Sequence, residues 1–221
     1  MAQRVLGDKP IRVGHLPIFD GFPQKGLTRA AARAQLGIEP DEPLLLFFGF
    51  VRRYKGLRYV FDALGQLSQP PHLLVAGEFW EEEAFYRDSI RQLGLDQHII
   101  IHNRYIPNEE IEPYFMAADA LVLPYLSGSQ SAVAMIAMNY SIPVIATSIG
   151  GLAETITHGE TGLIVPPADS VALAAAIEQF FHEGLRDPFS AAMSQTRARL
   201  SWGALIGIIE EISHDIKYKH S

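Results

Sequence analysis

The sequence contains no cysteine among its 221 residues, which excludes disulfide bonds, thiolate-bound zinc and a cysteine nucleophile. No apolar run reaches the ~18–20 residues that a membrane span needs, and the first residues lack the apolar stretch of a signal peptide. The net charge of −7 disfavours nucleic acid as the main partner, because phosphate contacts need a basic surface. We therefore expect a soluble, cytoplasmic, globular protein.

Short apolar runs alternate with helix-like stretches from Leu44 onward. These runs are continuously apolar, which is typical of strands that are covered on both faces. Helices between such strands imply right-handed crossovers, so the pattern predicts an α/β fold with a doubly wound parallel sheet of about six strands. The predicted strands are Leu44–Phe48, Leu73–Ala76, His98–Ile101, Ala120–Leu123, Pro143–Ala146 and Leu163–Val165.

The chain divides into three predicted segments. Residues 1–40 form an N-terminal extension or interdomain remnant, in which Ile11–Leu16 fits a short strand and Thr28 an N-cap of a short helix. Residues 41–200 hold the predicted sheet. Residues 201–221 carry apolar side chains near helical spacing, which predicts a C-terminal amphipathic helix.

The turn after the first predicted strand, residues 49–57, combines two glycines with three cations. Ligands of open parallel sheets bind beyond the carboxyl ends of the strands, where helix N-termini present free N–H groups. In an acidic chain, this position favours a phosphate-binding role for Arg52 and Lys55. The alternative is an ordinary solvated basic loop.

The turn after the fourth predicted strand carries Ser129, Gln130 and Ser131 ahead of the apolar helix Ala132–Tyr140. One serine would suffice to cap that helix. The additional hydroxyl and amide groups can form an anion cradle together with the backbone N–H groups at the helix start.

The same turn has a second interpretation as the nucleophile of a serine hydrolase. Ser127, Ser129 and Ser131 follow a small-x-nucleophile-x-small pattern, and Asp187 and His214 come later in the order of a triad. A true G-x-S-x-G motif is missing, as is an oxyanion segment of the HGGG type. The hydrolase is therefore a remote alternative.

A third turn places Glu154 shortly after Gly150 and Gly151, either to meet a ligand or to complement the dipole of the following helix. Metal-binding patterns are missing. His98 and His102 lie in or beside a strand, and there is neither an H-E-x-x-H motif nor an Asp-x-Asp pair. We expect no metal site.

These turns, in this order, resemble the C-terminal donor-binding domain of GT-B glycosyltransferases, the retaining family 4 type (glycosyl transferases group 1). Their matching motifs lie in register over about residues 44–202. The segments that carry the resemblance are Phe47–Leu57, Ala117–Pro124, Pro143–Glu154, Thr161–Pro166 and Leu200–Trp202.

The resemblance implies a Rossmann-like domain that binds a nucleoside diphosphate sugar, for transfer to an unknown acceptor, without metal or cofactor. It does not assign a catalytic residue. The implied binding residues are Gly49, Arg52 and Lys55 at the diphosphate, Ser129, Gln130 and Ser131 at the sugar and distal phosphate, and Arg104, Tyr105, Ile106 and Glu154 at the nucleotide.

The sequence departs from the family at two positions. Relatives commonly carry two glutamates eight positions apart, near the donor sugar and the ribose, where this chain has Gly128 and Ile136. Ribose recognition by a carboxylate at position 136 is therefore excluded. Whether the loss abolishes activity is left open, since a branch of the family with a Ser/Thr-Gln-Ser segment resembles this chain.

Relatives with this fold have a further domain ahead of the donor-binding one, whereas only about forty residues precede the first strong strand here. We therefore expect a donor-binding half that binds its donor without efficient transfer. Its expected partner is a missing N-terminal domain, or a second copy bound through the C-terminal helix. The alternative is a non-catalytic nucleotide-sugar-binding or partner-interaction module.

Overall fold

The computed structural model describes residues 21–128, 131–199 and 202–218. Their sheet has six parallel strands in the order β3-β2-β1-β4-β5-β6. This confirms the predicted fold class. The strands are β1 (Leu44–Phe48), β2 (His72–Ala76), β3 (Ile99–His102), β4 (Ala120–Leu123), β5 (Val144–Thr147) and β6 (Gly162–Val165).

Helices connect the strands and flank the sheet. Short 3-10 turns at Arg53–Lys55 and Asn108–Glu110 precede two of them. The α-helices of the described ranges are α1 (Arg29–Leu36), α2 (Leu57–Leu64), α3 (Glu83–Gln92), α4 (Ile111–Ala117), α5 (Ala132–Asn139), α6 (Leu152–Thr155), α7 (Ser170–His182), α8 (Arg186–Arg199) and α9 (Trp202–Tyr218).

Alternate residues of each strand enter two separate cores. In β1, Leu44 and Leu46 pack with residues of α4 and α5 on one face, whereas Leu45 and Phe47 pack with α2 and α7 on the other. All four side chains are at most 1% exposed. Burial on both faces explains why the strands are continuously apolar.

The sequence interpretation missed helix α8. Its buried residues, Phe189 and Met193, lie four positions apart on one helical face, and most of its other residues are polar or small. Two apolar residues are too few to stand out as a helical period. The strand predicted at Ile11–Leu16 lies outside the described residues.

Helix α1, from the N-terminal segment, packs against α4 and contributes Ala32 to the core of that face. The predicted cap of this helix is confirmed, because Thr28 Oγ1 accepts a hydrogen bond from Ala31 N at 3.2 Å. Arg33 of the same helix is 1% exposed and pairs with Asp119, directly before β4, at 3.1 Å. The described part of residues 1–40 thus packs as part of the sheet domain.

The strand order reverses between β1 and β4, so the loops after these two strands diverge and leave a crevice at the carboxyl edge. The loops touch at Gly56, whose φ is +71° and where a Cβ would lie 2.0 Å from the carbonyl oxygen of Pro124. Glycine is therefore required for this close approach. The crevice lies where the sequence places its two most polar turns.

Candidate functional site

A cleft of about 540 Å³ opens at the point where the strand order reverses. It is formed by the turn after β1, the turn after β4 and the first residues of α5, so the fold joins two turns that are about 75 positions apart in the sequence. Its lining residues are Tyr54, Lys55, Tyr125, Ser127, Gly128, Ser131, Ala132 and Val133.

Lys55 is the cation of this cleft. The residue is only 8% exposed, and its Nζ lies 5.9 Å from the centre of the Tyr125 ring. None of the ion pairs within the described ranges includes Lys55. Burial, with a smaller contribution from the charge of Arg52, lowers the pKa of Lys55 to about 8. A bound anion in the cleft would offset both the cost of burying the charge of Lys55 and its repulsion by Arg52.

Gly49 makes room for this lysine. Its φ is +93°, which favours glycine, and a Cβ at this position would lie 3.1 Å from Lys55 Nζ. The same Cβ would lie 3.7 Å from Val133 in α5, so the turn after β1 approaches the start of that helix closely. A side chain at position 49 would fill the space next to the ammonium group.

Ser131 forms the opposite wall and begins α5. Its Oγ accepts a hydrogen bond from Ala134 N at 3.3 Å, which is the expected N-cap, and lies 3.2 Å from the hydroxyl of Tyr125. Thr147 holds the turn in place by donating to the carbonyl of Tyr125 at 2.7 Å. Burial raises the pKa of Tyr125 to about 12, so this hydroxyl stays neutral.

Two of the predicted residues, Ser129 and Gln130, lie outside the described residues, and their roles stay predictions. Glu154 lies in α6, and its side chain is likewise not described. Of the two positions where relatives carry glutamates, Gly128 lines the cleft, whereas Ile136 is 6% exposed and packs in the core. An apolar side chain at position 136 is thus part of the packing of α5.

Arg52 lies beside the cleft on an exposed aromatic surface made of Phe50, Trp80 and Tyr105. Its guanidinium stacks 3.9 Å from the centre of the Trp80 ring. Phe50 lies 4.8 Å from Trp80 and 6.4 Å from Tyr105, between ring centres. Trp80 and Tyr105 remain 55% and 60% exposed. This surface offers exposed aromatic rings next to Arg52.

Each member of this aromatic surface follows a different strand. Phe50 comes after β1, Trp80 after β2 and Tyr105 after β3, and these strands are neighbours in the sheet. Sequence reasoning identified Tyr105 alone. A signal for the other two was present, since each is an aromatic residue shortly after a buried strand, but only the strand order shows that they meet.

Arg104 and Ile106, which were also predicted near the nucleotide, do not present free side chains. Arg104 forms an ion pair with Glu110 and donates to the hydroxyl of Tyr114 at 3.3 Å, and its pKa is raised chiefly by the hydrogen bond that it donates to Glu110. Ile106 is 6% exposed and packs in the core. The structure thus brings Tyr105 to the aromatic surface and turns Arg104 towards Glu110.

The placement of Asp187 argues against a serine hydrolase. Asp187 pairs with Arg186 at 2.7 Å, and Arg186 in turn lies 3.4 Å from Asp119, directly before β4. Ser131 follows the opposite end of β4. Ser131, which flanks the candidate nucleophile Ser129, is therefore separated from Asp187 by about the length of the strand, and Ser129 itself lies outside the described residues. The side chain of His214 is not described.

The positive groups at this edge suit a diphosphate. Lys55 and Arg52 supply two cations, and the N-terminus of α5 supplies backbone N–H groups with a favourable dipole. Across the described part of the chain, no group of three or more His, Asp or Glu residues could hold a metal ion.

Helix α9 presents apolar side chains to solvent, with Trp202, Ile206 and Ile209 each about half exposed. Self-association through this helix stays a prediction. Of the helices within the described ranges, none has the length and apolarity required to cross a bilayer.

The sequence is similar to known glycosyltransferases. A D-inositol 3-phosphate glycosyltransferase from Pseudarthrobacter chlorophenolicus is 29% identical over 201 residues, which cover 87% of this chain and 47% of that protein. Sucrose-phosphate synthase from Thermosynechococcus elongatus superposes with a TM-score of 0.73 at 27% identity, covering 96% of this chain and 53% of that one. HepE from Anabaena, solved in complex with UDP, has the same fold, with a TM-score of 0.74, 20% identity and coverage of 93% and 56%.

This chain spans about half the length of the curated relatives that it matches. The family model described as "Glycosyl transferases group 1" matches residues 42–183, more than half of the chain and most of the region that carries the resemblance. The fold, with its parallel sheet and its cleft at the reversal of strand order, agrees with that match. The chain therefore belongs to the group 1 family of glycosyl transferases.

Proposed function

We propose that this chain binds a nucleoside diphosphate sugar in the cleft between the turn after β1 and the start of α5. The observation that carries the proposal is Lys55, a lysine of the cleft that is only 8% exposed and has no ion-pair partner among the described residues. In this proposal Lys55 and Arg52 hold the diphosphate, Gly49 admits it, and Ser131 lies near the sugar.

The proposed reaction is sugar transfer with retention of configuration and without a metal ion. When the bond from the sugar to the diphosphate breaks, negative charge grows on the leaving group. Cations and helix N–H groups that are already in place stabilise this charge without reorganisation. The UDP bound to HepE supports a nucleoside diphosphate as the ligand class.

The nucleoside would extend over the aromatic surface formed by Phe50, Trp80 and Tyr105. Stacking of a base on an aromatic side chain contributes about 1–3 kcal/mol and tolerates any base, because every base has a π face. Arg52, stacked on Trp80, lies between this surface and the cleft. In this proposal, the cations that bind the diphosphate lie next to the aromatic rings that stack on the base.

The acceptor side of the reaction is proposed to come from a second domain. The chain spans about half the length of the matched relatives, which supports the proposal that it corresponds to the donor-binding half of such an enzyme. By this proposal, the isolated chain binds its donor but transfers sugar slowly. The cytoplasmic location stays a prediction.

Thermal unfolding with UDP-, GDP- and ADP-sugars tests donor binding. At a concentration one hundred times the Kd, a ligand specific for the native state adds about 2.7 kcal/mol of stability. For a domain of this size, that raises the Tm by about 5–10 °C. We expect the same rise in EDTA as in magnesium. A Tm that no nucleotide sugar shifts would contradict the proposal, and a shift only with magnesium would contradict its metal-free form.

The pH dependence of donor affinity follows from the lowered pKa of Lys55. The free chain loses this proton near pH 8, so binding a diphosphate above that pH requires the lysine to take a proton up again. We expect affinity to fall with rising pH above 8, by up to about tenfold per pH unit. Calorimetric titration between pH 7 and 10 measures this, and a flat profile would place the diphosphate away from Lys55.

A further inference from the structure

A second and larger groove, of about 690 Å³, opens next to the donor cleft. The two are separated by the contact in which Leu126 N donates to the carbonyl of Tyr54 at 2.7 Å. The groove lies between the start of α2, the loop after β2 and the start of α3. Its lining residues are Arg53, Gly56, Leu57, Arg58, Tyr59, Asp62, Glu81, Glu82, Phe85, Tyr86 and Leu126.

Aromatic rings form the apolar part of this groove. Phe85 of α3 is 50% exposed, and the guanidinium of Arg58 from α2 lies 5.4 Å from the centre of its ring. Tyr86 is 3% exposed, contacts Phe85 edge-on at 5.4 Å, and donates its hydroxyl to Glu81 at 2.6 Å. An exposed ring is thus held in place by a buried one behind it.

The polar groups of the groove nearly balance in charge. Two arginines, Arg53 and Arg58, face three carboxylates, Asp62, Glu81 and Glu82. This contrasts with the donor cleft, where Lys55 and Arg52 stand without a carboxylate partner in the described ranges. A diphosphate would meet net repulsion here, so the groove requires a different kind of ligand.

Glu81 has both oxygens engaged, because Oε1 accepts from Arg53 N at 2.5 Å and Oε2 from the hydroxyl of Tyr86. It therefore shapes the groove. Glu82 and Arg58 are both exposed, and the Nε of Arg58 lies 3.7 Å from Asp62. A carboxylate accepts hydrogen bonds and a guanidinium donates them, so the rim offers both kinds of partner around an exposed ring.

We propose that this groove binds a neutral oligosaccharide. One face of a pyranose ring is made of C–H groups, which pack on an aromatic ring such as Phe85, while the hydroxyl groups at its edge donate to Glu82 and accept from Arg58. The volume lies within the range of small-molecule sites, about 300–1,000 Å³. A sugar chain held here would lie beside the donor cleft, separated from it by the contact between Tyr54 and Leu126.

Amide chemical shifts of the 15N-labelled chain test the proposal. The titrants are neutral trisaccharides of glucose, galactose, mannose and N-acetylglucosamine, with triglucuronic acid as the anionic comparison. We expect at least one neutral trisaccharide to shift the amides of α2 and α3 with a millimolar Kd. If no neutral trisaccharide shifts them, or if triglucuronic acid binds more tightly, the proposal is wrong.

Two variants make the test specific. Phe85→Ala removes the half-exposed ring and leaves the buried Tyr86 behind it in place, and we expect it to weaken trisaccharide binding by about tenfold. Val171→Ala, at a 67% exposed position of α7 outside the groove, should leave it unchanged. Equal affinity in Phe85→Ala would overturn the proposal. Nucleotide-sugar binding serves as a separate readout in the same samples, so failure of the groove and failure of the donor cleft are distinguishable.

Discussion

Asp119→Ala is expected to lower the free energy of unfolding by about 3–5 kcal/mol, because it leaves a buried arginine without its counter-ion. Asp119 is 5% exposed and accepts from Arg29 at 2.6 Å, from Arg33 at 3.1 Å and from Leu44 N at 2.9 Å. Arg33 is 1% exposed, and burial already lowers its pKa. Urea unfolding followed by circular dichroism measures the loss.

Two further variants separate the buried charge from the carboxylate itself. Asp88→Ala removes a carboxylate paired with Arg91 on the surface of α3, where the partner stays hydrated, and should cost about 0–1 kcal/mol. Arg33→Met in the Asp119→Ala background removes the uncompensated charge and should recover part of the lost stability. A loss below about 1 kcal/mol in Asp119→Ala would show that Arg33 finds water or another partner.

The fold was readable from the sequence wherever the signal was local. Each strand is a continuous apolar run, and the observed bounds differ from the predicted ones by one residue at most. The pairing of Arg33 with Asp119 could not be read in this way, because 86 positions separate them. The strand order could not be predicted either, because nothing in the apolar runs indicates which strands become neighbours in the sheet.

The candidate site shows the same difference between local and long-range signals. Gly49 and Lys55 could be proposed from the sequence because glycines and cations gather within one turn. Trp80 was missed, because its meeting with Phe50 and Arg52 depends on β2 lying beside β1. Local chemistry therefore suffices to propose the turn after β1 as a diphosphate site, whereas the aromatic surface next to it is a property of the assembled sheet.

Lys55→Met is expected to weaken nucleotide-sugar binding by about 5- to 150-fold, equivalent to about 1–3 kcal/mol, the range for a lost charge-assisted hydrogen bond. Methionine keeps an apolar stem beside Tyr125 and removes a charge that burial destabilises, as the lowered pKa of Lys55 shows. Stability should therefore be unchanged or higher, so a loss of affinity cannot be attributed to unfolding. Calorimetric titration at pH 7, with the nucleotide sugar that raises the Tm most, gives the affinity.

Arg91→Met is the matched control for net charge. Arg91 is an exposed cation in the last turn of α3, paired with Asp88 and remote from the carboxyl edge of the sheet. Its loss changes the total charge as much as Lys55→Met does, but exposed charges beyond about 10 Å are largely screened at 0.1 M salt. If both variants weaken nucleotide-sugar binding equally, Lys55 contributes only through long-range electrostatic attraction. Full affinity in Lys55→Met would contradict the placement of the diphosphate in the cleft. It would show that binding does not need the cation beside Gly49.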